Sequence, residues 1–295
     1  NKLKIMNINF TKLQGAGNGY IAIDGRDITL SWGKLAKEMG DPAFGVGSDG
    51  IVVVEKSKLA SIKMRVFNTD GSEAEMSGNG IRLFSKFVID NKICLPVNNA
   101  LDIETLGGIR TVWPEISNEK MISAKVAMGK PTFKTEEVPV DIKKVENISP
   151  IQNYSLKINN DKFNEIKITC LSIGNPHAVC ILDTPVEEFP LNDIGPLVEN
   201  HEIFPNRINF EIVNIINKNT IRARIFERGE GETLSSGTGS TASACASRKL
   251  GFVKDEVEVI LDGGVLKISW DNDGEAYLEG PAEEVFTGKW EIKND

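Results

Sequence analysis

The chain has 295 residues, 40% of them hydrophobic and 26% charged, which is typical of two packed domains rather than of a disordered protein. Its 42 acidic and 34 basic residues give a net charge of −8, which argues against a nucleic-acid-binding protein. No apolar run reaches the roughly 18 residues that a membrane helix requires, and no secretory signal is recognisable, so secretion is unsupported. Four cysteines without a C-x-x-C pair, and only two histidines, predict neither a disulfide framework nor a metal site.

In chain order, short apolar or alternating segments predict strands at residues 20–23, 62–67, 101–105, 221–226 and 257–261. Helix-length segments follow at residues 81–90 and 240–248. The second of these is built almost wholly of small residues, which indicates a helix closely enclosed by strands. The polar, irregular stretch 135–162 is predicted to be a connecting or surface region.

The chain contains one internal repeat of about half its length. Residues 65–80 (RVFNTDGSEAEMSGNG) match residues 224–239 (RIFERGEGETLSSGTG) without a gap, and Gly17-Asn18 matches Gly174-Asn175 at a similar offset. Chance similarity between glycine-rich loops is the alternative, but several matches in the same order disfavour it. The repeat therefore predicts two similar domains that arose by duplication.

Each repeat carries Ser-Gly-x-Gly directly before its predicted helix, at Ser77 and Ser236. The first N–H groups of a helix lack partners within the helix, so such an end binds a carboxylate or phosphate well. Either serine alone would be interpreted as an ordinary N-cap. Because both motifs occupy matching positions, we favour one anion that is shared by the two helix ends.

Polar residues beside these motifs suit an amino-acid ligand. Asparagine offers both a donor and an acceptor, and arginine can bind a carboxylate through two parallel hydrogen bonds. Taken singly, each asparagine is more often a turn residue, and the arginine a surface charge. The candidates are Asn18, Asn68, Asn175, Asn209, Glu227 and Arg228.

Two other motifs are disfavoured. Residues 15–19 (GAGNG) are similar to a dinucleotide-binding loop, but a strand follows where that motif requires a helix. A serine hydrolase could combine His177 with Ser77 or Ser236, but neither serine lies in a G-x-S-x-G elbow. His177, in Asn175-Pro176-His177, is expected to be a structural residue of a rigid turn.

Together these motifs resemble those of diaminopimelate epimerases over nearly the whole chain. The resemblance implies an α/β (α+β) fold of two pseudo-symmetric domains, each with a β-barrel-like sheet around a central helix. It places residues 1–128 with 281–295 in one domain and residues 129–280 in the other, with the active site in the cleft between them. The motifs are GAGN (15–18), FNTDGSE (67–73), GNG (78–80), GNPH (174–177), RIN (207–209), ERGEGET (227–233) and GTG (237–239).

The resemblance also implies a cytoplasmic, often dimeric isomerase that needs no cofactor, metal or pyridoxal phosphate. Such enzymes interconvert LL- and meso-diaminopimelate, a small-molecule substrate, for lysine and cell-wall synthesis; no nucleic acid or membrane is involved. Two cysteines exchange a proton on opposite faces of the substrate Cα, and their positions here are Ser77 and Ser236. The implied substrate-binding residues are Asn18, Asn68, Gly78, Asn79, Asn175, Asn209, Glu227, Arg228, Gly237 and Thr238, with His177 in support.

Serine at both catalytic positions is the main departure from the family pattern. A serine hydroxyl is a far weaker acid than a thiol and needs its own base. No histidine is placed by motif to serve Ser77 or Ser236, so we expect a chain that is inactive or very slow. Gly50, where some family members carry glutamine, is a smaller departure.

Two explanations compete: replacement of both cysteines in a diaminopimelate epimerase, or a natural relative with other chemistry. The second group comprises a same-fold isomerase or dehydratase of a small acid that uses serine, and a racemase of another amino acid. A non-catalytic amino-acid-binding protein is a third hypothesis. We favour replacement, because the residues expected to recognise the distal end of the substrate all remain: Asn68, Asn175, Asn209 and Arg228.

Overall fold

The computed structural model of the chain describes residues 6–158, 160 and 163–292. In chain order its strands and helices are β1 Met6–Gly15, β2 Asn18–Asp24, α1 Trp32–Gly40, β3 Gly50–Glu55, β4 Ile62–Asn68, β5 Glu73–Ala74, α2 Gly78–Asp90, β6 Leu101–Thr105, β7 Gly108–Ser117, β8 Lys120–Gly129, β9 Tyr154–Lys157, β10 Glu165–Ser172, β11 Pro176–Ile181, α3 Leu191–Glu199, β12 Asn209–Asn217, β13 Thr220–Glu227, β14 Gly231–Thr233, α4 Gly237–Lys249, β15 Glu256–Leu261, β16 Gly264–Trp270, β17 Ala276–Pro281 and β18 Glu283–Ile292. All strands and both helices predicted from the sequence are present.

The chain divides into two compact units. The first comprises the residues up to Val126 together with those from Gly280 onwards, and the second comprises Ala127–Glu279. In the first unit, β1 pairs antiparallel with β2 and β18, and β2 pairs parallel with β3. β3 then pairs antiparallel with β4, which lies antiparallel to β5 and parallel to β6, and β6, β7 and β8 form an antiparallel series.

The second unit repeats this pairing pattern strand for strand. β10 is antiparallel to β11 and to β9, β11 is parallel to β12, and β12 is antiparallel to β13. β13 is antiparallel to β14 and parallel to β15, and β15, β16 and β17 are antiparallel in series. Parallel neighbours need a crossover connection, and α1 and α2 supply it in one unit as α3 and α4 do in the other. The predicted α/β architecture of pseudo-symmetric units is confirmed.

The helices α2 and α4 are the central helices of their units. In α2 every side chain from Gly78 to Ile89 is buried, and the helix packs against β1–β4 and β7. α4 packs against β10–β13, β15 and β16 and is buried along most of its length.

The hydroxyls of α4 can be buried because its own backbone accepts their hydrogen bonds. Ser240, Thr241, Ser243 and Ser247 each donate to the carbonyl four residues earlier, at 2.6–2.8 Å. The small residues therefore leave no polar group unsatisfied, and strands can approach the helix closely. The sequence-based expectation of an enclosed helix is met.

Two helices that the sequence analysis did not predict cover the sheets. α1 buries Trp32, Leu35, Ala36 and Met39 at helical spacing and packs against β3 and β4. α3 packs against β12, β13 and β14 in the corresponding position of the second unit. Both are short amphipathic helices of nine residues, too short to give a strong periodic signal in a sequence.

The prediction that residues 135–162 form a connecting or surface region is only partly right, because some of their side chains are buried. This segment contains the short 3-10 helices Thr135–Glu137 and Ile142–Val145 as well as β9. Val145, Ile151 and Leu156 are at most 1% exposed and join the core of the second unit. Apolar side chains spaced irregularly among polar ones carry no periodic signal, so only tertiary packing shows their burial. Residues 159, 161 and 162 of the segment lie outside the described residues.

Enlarging a buried small residue of α4 should destabilise the protein. Ala244 is fully buried, so Ala244→Leu is expected to lower the free energy of unfolding by about 1–3 kcal/mol through overpacking. Ala43→Leu, the same change at an exposed position, should stay within about 0.5 kcal/mol. Urea denaturation of both variants measures the difference, and equal stabilities would contradict the tight enclosure of α4.

Candidate active site

Ser77 is the N-cap of α2. Its backbone is extended, with φ −136° and ψ 123°, and its Oγ accepts a hydrogen bond from the Gly80 N–H at 3.0 Å. This side chain therefore satisfies one of the N–H groups that a helix start leaves unpaired. The backbone N–H groups of Gly78 and Asn79 belong to the same first turn.

Ser236 caps α4 in the same way. Its φ of −136° and ψ of 129° nearly repeat those of Ser77, and its Oγ accepts from the Gly239 N–H at 3.2 Å. Gly237 and Thr238 occupy the first turn of this helix. The two repeats thus build the same capped helix start, one in each unit.

In each helix, a side chain from the second turn donates a hydrogen bond to the carbonyl of the first residue. The Arg82 guanidinium, fully buried, donates from Nη1 to the Gly78 carbonyl at 2.9 Å, and Thr241 Oγ1 donates to the Gly237 carbonyl at 2.8 Å. Burial lowers the pKa of Arg82 to about 9. The sequence analysis did not single out Arg82, although its position in the repeat matches that of Thr241.

Tyr20 lies against Ser77 and explains the departure at Gly50. Its phenol donates to Ser77 Oγ at 3.2 Å. The backbone register sets Tyr20 beside Gly50, and Gly50 beside Asn68. A Cβ at position 50 would come within 3.0 Å of Tyr20 Cε1 and 2.5 Å of the Phe67 carbonyl oxygen. Only glycine therefore fits here, and the tyrosine ring lies over it.

Ser236 has a carboxylate partner instead. Its hydroxyl donates to Glu227 Oε2 at 2.9 Å, and Thr233 Oγ1 donates to the other oxygen, Oε1, at 2.8 Å. Burial raises the pKa of Glu227, although these hydrogen bonds act in the opposite direction. The last residue of β13 is thus a carboxylate held beside the N-cap of α4.

His177 is occupied by other partners. Its Nδ1 contacts Glu211 Oε1 at 2.6 Å, and its Nε2 contacts Asn175 Oδ1 at 2.9 Å. Asn175 Nδ2 in turn donates to Thr238 Oγ1 at 3.3 Å in the first turn of α4. Both ring nitrogens are therefore engaged, and the contacts fit the predicted supporting role rather than that of a base for Ser236.

Asn209 and Arg228 are joined through the backbone. Asn209 Nδ2 donates to the Pro176 carbonyl at 2.8 Å, and its Oδ1 accepts from the Arg228 N–H at 2.9 Å. The Arg228 guanidinium donates to the Asn206 carbonyl at 3.0 Å. The second unit thus links its predicted site residues in three groups: Ser236 with Glu227, Asn175 with His177 and Thr238, and Asn209 with Arg228.

In the first unit the predicted asparagines are held separately. Asn18 Nδ2 donates to Asp49 Oδ2 at 2.7 Å, and the Gly19 N–H donates to the same oxygen at 2.6 Å. Asn68 Nδ2 donates to Ser72 Oγ at 3.1 Å. Asn79 is buried, and its Oδ1 has no hydrogen-bond partner among the described residues.

Besides Arg82, four residues that contact the candidate site residues were not predicted from the sequence: Tyr20, Asp49, Glu211 and Thr233. One of them left a signal in the repeat. Aligning Gly17-Asn18 with Gly174-Asn175 sets Tyr20 opposite His177. Glu211 gave no such signal, because a carboxylate in the middle of a strand shows no local sign that it is buried against a histidine.

Several other kinds of site find no support in the part of the chain that the structure describes. No group of three His, Cys, Asp or Glu side chains there is placed to hold a metal ion. No helix in that part is long and apolar enough to cross a membrane. The four cysteines are free thiols, and burial raises the pKa of Cys180 and of Cys245 to about 12.

Solved structures share this fold at low sequence identity. A hydroxyproline epimerase from Agrobacterium vitis superposes with a TM-score of 0.70 at 12% identity, covering 98% of this chain and 93% of that one. A phenazine biosynthesis protein of the PhzF family from Bacillus anthracis gives 0.67 at 18%, covering 97% and 99%. The chain therefore has the pseudo-symmetric two-domain α/β fold of these structures.

Closer relatives identify the family within this class. The family model described as diaminopimelate epimerase matches residues 10–134 and 169–285. The diaminopimelate epimerase of Methanococcus maripaludis strain S2 is 43% identical over 287 residues, 97% of this chain and 100% of that protein. That of Acetivibrio thermocellus is 41% identical, covering 97% and 99%. The chain belongs to the diaminopimelate epimerase family, whose members are isomerases of lysine biosynthesis.

Removing His177 should strongly destabilise the second unit. Glu211 is fully buried, and His177→Ala would leave its carboxylate without a partner, at a cost of about 3–5 kcal/mol in the free energy of unfolding. Adding Glu211→Leu to that variant should recover much of the loss. Thermal unfolding of both variants and amide hydrogen exchange in β12 are the measurements. A double variant no more stable than His177→Ala would show that the loss does not come from the unpaired carboxyl group of Glu211.

Proposed function

We propose that the chain is built to bind diaminopimelate, with binding residues drawn from both proposed half-domains, residues 1–128 with 281–295 and residues 129–280. Ser77 and Ser236 are proposed to face opposite sides of the substrate Cα, at the positions of the family's acid and base. The 43% identity to a diaminopimelate epimerase over nearly the whole chain supports this assignment. The observation that carries it is the pair of matching serine-capped helix starts.

The reacting carboxylate of the substrate is proposed to lie at both helix starts. Gly78 and Asn79 would donate backbone N–H groups from α2, and Gly237 and Thr238 would donate them from α4. The positive ends of the two helix dipoles would favour the carboxylate and the charge that develops as the Cα proton leaves. Thr238 is held for this role by its contact with Asn175.

The remaining side chains are proposed to recognise the rest of the substrate. Glu227 would bind the ammonium group near the reacting carbon, since its carboxylate retains lone pairs beyond those used by Ser236 and Thr233. The distal ammonium and carboxylate would contact four further residues, and Asn18 would border the site. Those four residues are Asn68, Asn175, Asn209 and Arg228.

With serine at both positions, we propose that turnover by the family route is absent or very slow. A hydroxyl ionises far less readily than a thiol, so little base is present near neutral pH. The proposal needs no cofactor or metal, and it places the enzyme in the cytoplasm as a homodimer, as the family resemblance implies. The serine-dependent lyase and dehydratase alternatives are not favoured by the relatives.

Restoring both thiols should create the family activity. The double variant Ser77→Cys/Ser236→Cys is expected to exchange the α-proton of LL- and meso-diaminopimelate with solvent and to interconvert the two. Nuclear magnetic resonance in heavy water measures the exchange, and chiral chromatography measures the interconversion. The matched controls are the unchanged chain and the two single-Cys variants.

The outcome separates the competing hypotheses. If the folded double variant exchanges no diaminopimelate stereoisomer, the substrate assignment is wrong. If it binds diaminopimelate tightly without exchange, the chain is a binding protein rather than an epimerase scaffold.

Arg228 should govern affinity for the distal carboxylate. Because charge-assisted hydrogen bonds contribute about 1.5–3 kcal/mol, Arg228→Ala is expected to weaken diaminopimelate binding by about 10- to 100-fold. Binding of lysine, which lacks the distal carboxylate, should change little. Arg222→Ala, in the preceding strand β13 and paired with Glu187, is the matched control. Isothermal titration calorimetry measures all four affinities, and equal losses for both ligands would remove Arg228 from this role.

A further inference from the structure

A buried glutamate at the end of α3, Glu199, contacts the turn that carries Arg228. The Glu199 side chain is only 8% exposed, and a buried carboxylate requires partners. Its Oε1 accepts hydrogen bonds from the Gly229 N–H at 2.8 Å and from Arg207 Nη1 at 3.0 Å. Glu199 and Arg207 have no part in the proposed substrate contacts, although Arg207 begins the RIN motif.

Arg228 and Gly229 are the central residues of a four-residue turn between β13 and β14. The Glu230 N–H donates to the Glu227 carbonyl at 3.1 Å and closes this turn. Gly229 has a φ of 85°, a left-handed conformation that glycine adopts without strain. In such a turn the N–H groups of the two central residues have no partner within the turn, so their partners must lie outside it.

Two side chains supply these partners. Asn209 Oδ1 accepts from the Arg228 N–H at 2.9 Å, and Glu199 Oε1 accepts from the Gly229 N–H. A third hydrogen bond, from Arg228 Nη1 to the Asn206 carbonyl, directs the guanidinium itself. A guanidinium has five N–H groups, so most of them stay available to a ligand carboxylate. Glu199 and Asn209 therefore fix the backbone from which this guanidinium extends.

Arg207 pairs with Glu199 on the exposed side of this network. Its guanidinium is 53% exposed, and the ion pair joins it to the buried carboxylate. The Arg207 backbone has a φ of 59°, which residues other than glycine rarely adopt unless the surrounding structure holds them there. The charge of Glu199 is thereby paired although its side chain is buried.

The aligned positions of the first unit lack this network. The offset that aligns residues 65–80 with 224–239 also aligns the nine-residue helices α1 and α3. The turn itself is kept, because residues 68–71 form the same closing hydrogen bond. The side chains of the network are not kept: Glu199, Arg207, Asn209 and Arg228 align with Gly40, Ser48, Gly50 and Thr69.

Packing alone does not require a carboxylate at this helix end. In the first unit α1 ends at Gly40, where a Cβ would come within 2.7 Å of Thr69 Cγ2. The helix end thus lies directly against the turn, and a glycine is sufficient to dock the two elements. The carboxylate of Glu199 and the guanidinium of Arg228 are therefore additions of the second unit rather than requirements of the fold.

We propose that Glu199 is the positioning residue of Arg228 and thereby sets the preference for a ligand that carries a second carboxylate. Glu199 does not touch the ligand; it fixes the Gly229 peptide and so the direction in which Arg228 extends. The inference rests on the proposed function, in which Arg228 binds the distal carboxylate. It uses residues of the second unit alone.

Removing the Glu199 carboxylate should weaken recognition of the second carboxylate specifically. Glu199→Ala is expected to lower the affinity for diaminopimelate by about tenfold, because the charge-assisted contact made by Arg228 is misdirected. The affinity for lysine, which has no second carboxylate, should change little. Isothermal titration calorimetry with both ligands measures the ratio of the two affinities.

Two further variants separate positioning from general destabilisation. Glu199→Gln keeps an oxygen that can accept from the Gly229 N–H, so it should retain most of the preference for diaminopimelate. Glu232→Ala is the matched control, because Glu232 also pairs with an arginine, Arg224, and also contacts α3, at Asn192. This control should lose stability without changing the ratio of the two affinities.

A double-mutant cycle tests whether Glu199 acts through Arg228. If it does, adding Glu199→Ala to Arg228→Ala should cost no further affinity for diaminopimelate, because the positioned group is already absent. Losses that multiply independently would overturn the inference. A Glu199→Ala variant that weakens both ligands equally would also overturn it.

The same measurements separate this inference from the proposed function. If Arg228→Ala leaves the preference for diaminopimelate over lysine unchanged, the distal role of Arg228 is wrong and the inference fails with it. If Arg228→Ala removes the preference while folded Glu199→Ala keeps it, only the inference fails. Should Glu199→Ala not fold, Glu199→Asp, which withdraws the carboxylate by one methylene, replaces it with the same expected loss.

Discussion

The unpaired N–H groups at the start of a buried helix constrain much of this molecule. A helix start that is enclosed by strands must satisfy its donors, and the chain does so twice with a serine in extended conformation. One lone pair of each hydroxyl caps the helix, while glycines in the first turn keep the remaining N–H groups approachable. The same structural requirement thus produces the same serine cap in both units.

The helices α2 and α4 are enclosed by strands in two different ways. The hydroxyls of α4 bond to its own carbonyls, so strands pack closely against small residues. α2 instead carries large apolar residues and the buried cation of Arg82. Despite this contrast, both helices brace the carbonyl of their first residue, through Arg82 in one and Thr241 in the other. The geometry of the helix start has been kept while the packing around it diverged.

The two units differ most in the side chains that contact Ser77 and Ser236. Tyr20 fits beside Ser77 because position 50 is glycine, where a Cβ would come within 3.0 Å of the tyrosine ring. Glu227 lies at the corresponding end of β13 and accepts from Ser236. A duplicated fold can therefore present two matching hydroxyls in unlike electrostatic surroundings.

The sequence by itself determined the repeat, the strands that precede each Ser-Gly-x-Gly motif, the two central helices and the family. These follow from local patterns: strand alternation, a capping serine and glycine spacing. It did not reveal α1, α3 or the buried parts of residues 135–162, because nine-residue helices and irregularly spaced apolar residues carry weak periodic signals. Only the tertiary structure decided which side chains contact the serines. Tyr20 and Glu211 lie far along the chain from their partners, and no local pattern encodes a contact that sheet register creates.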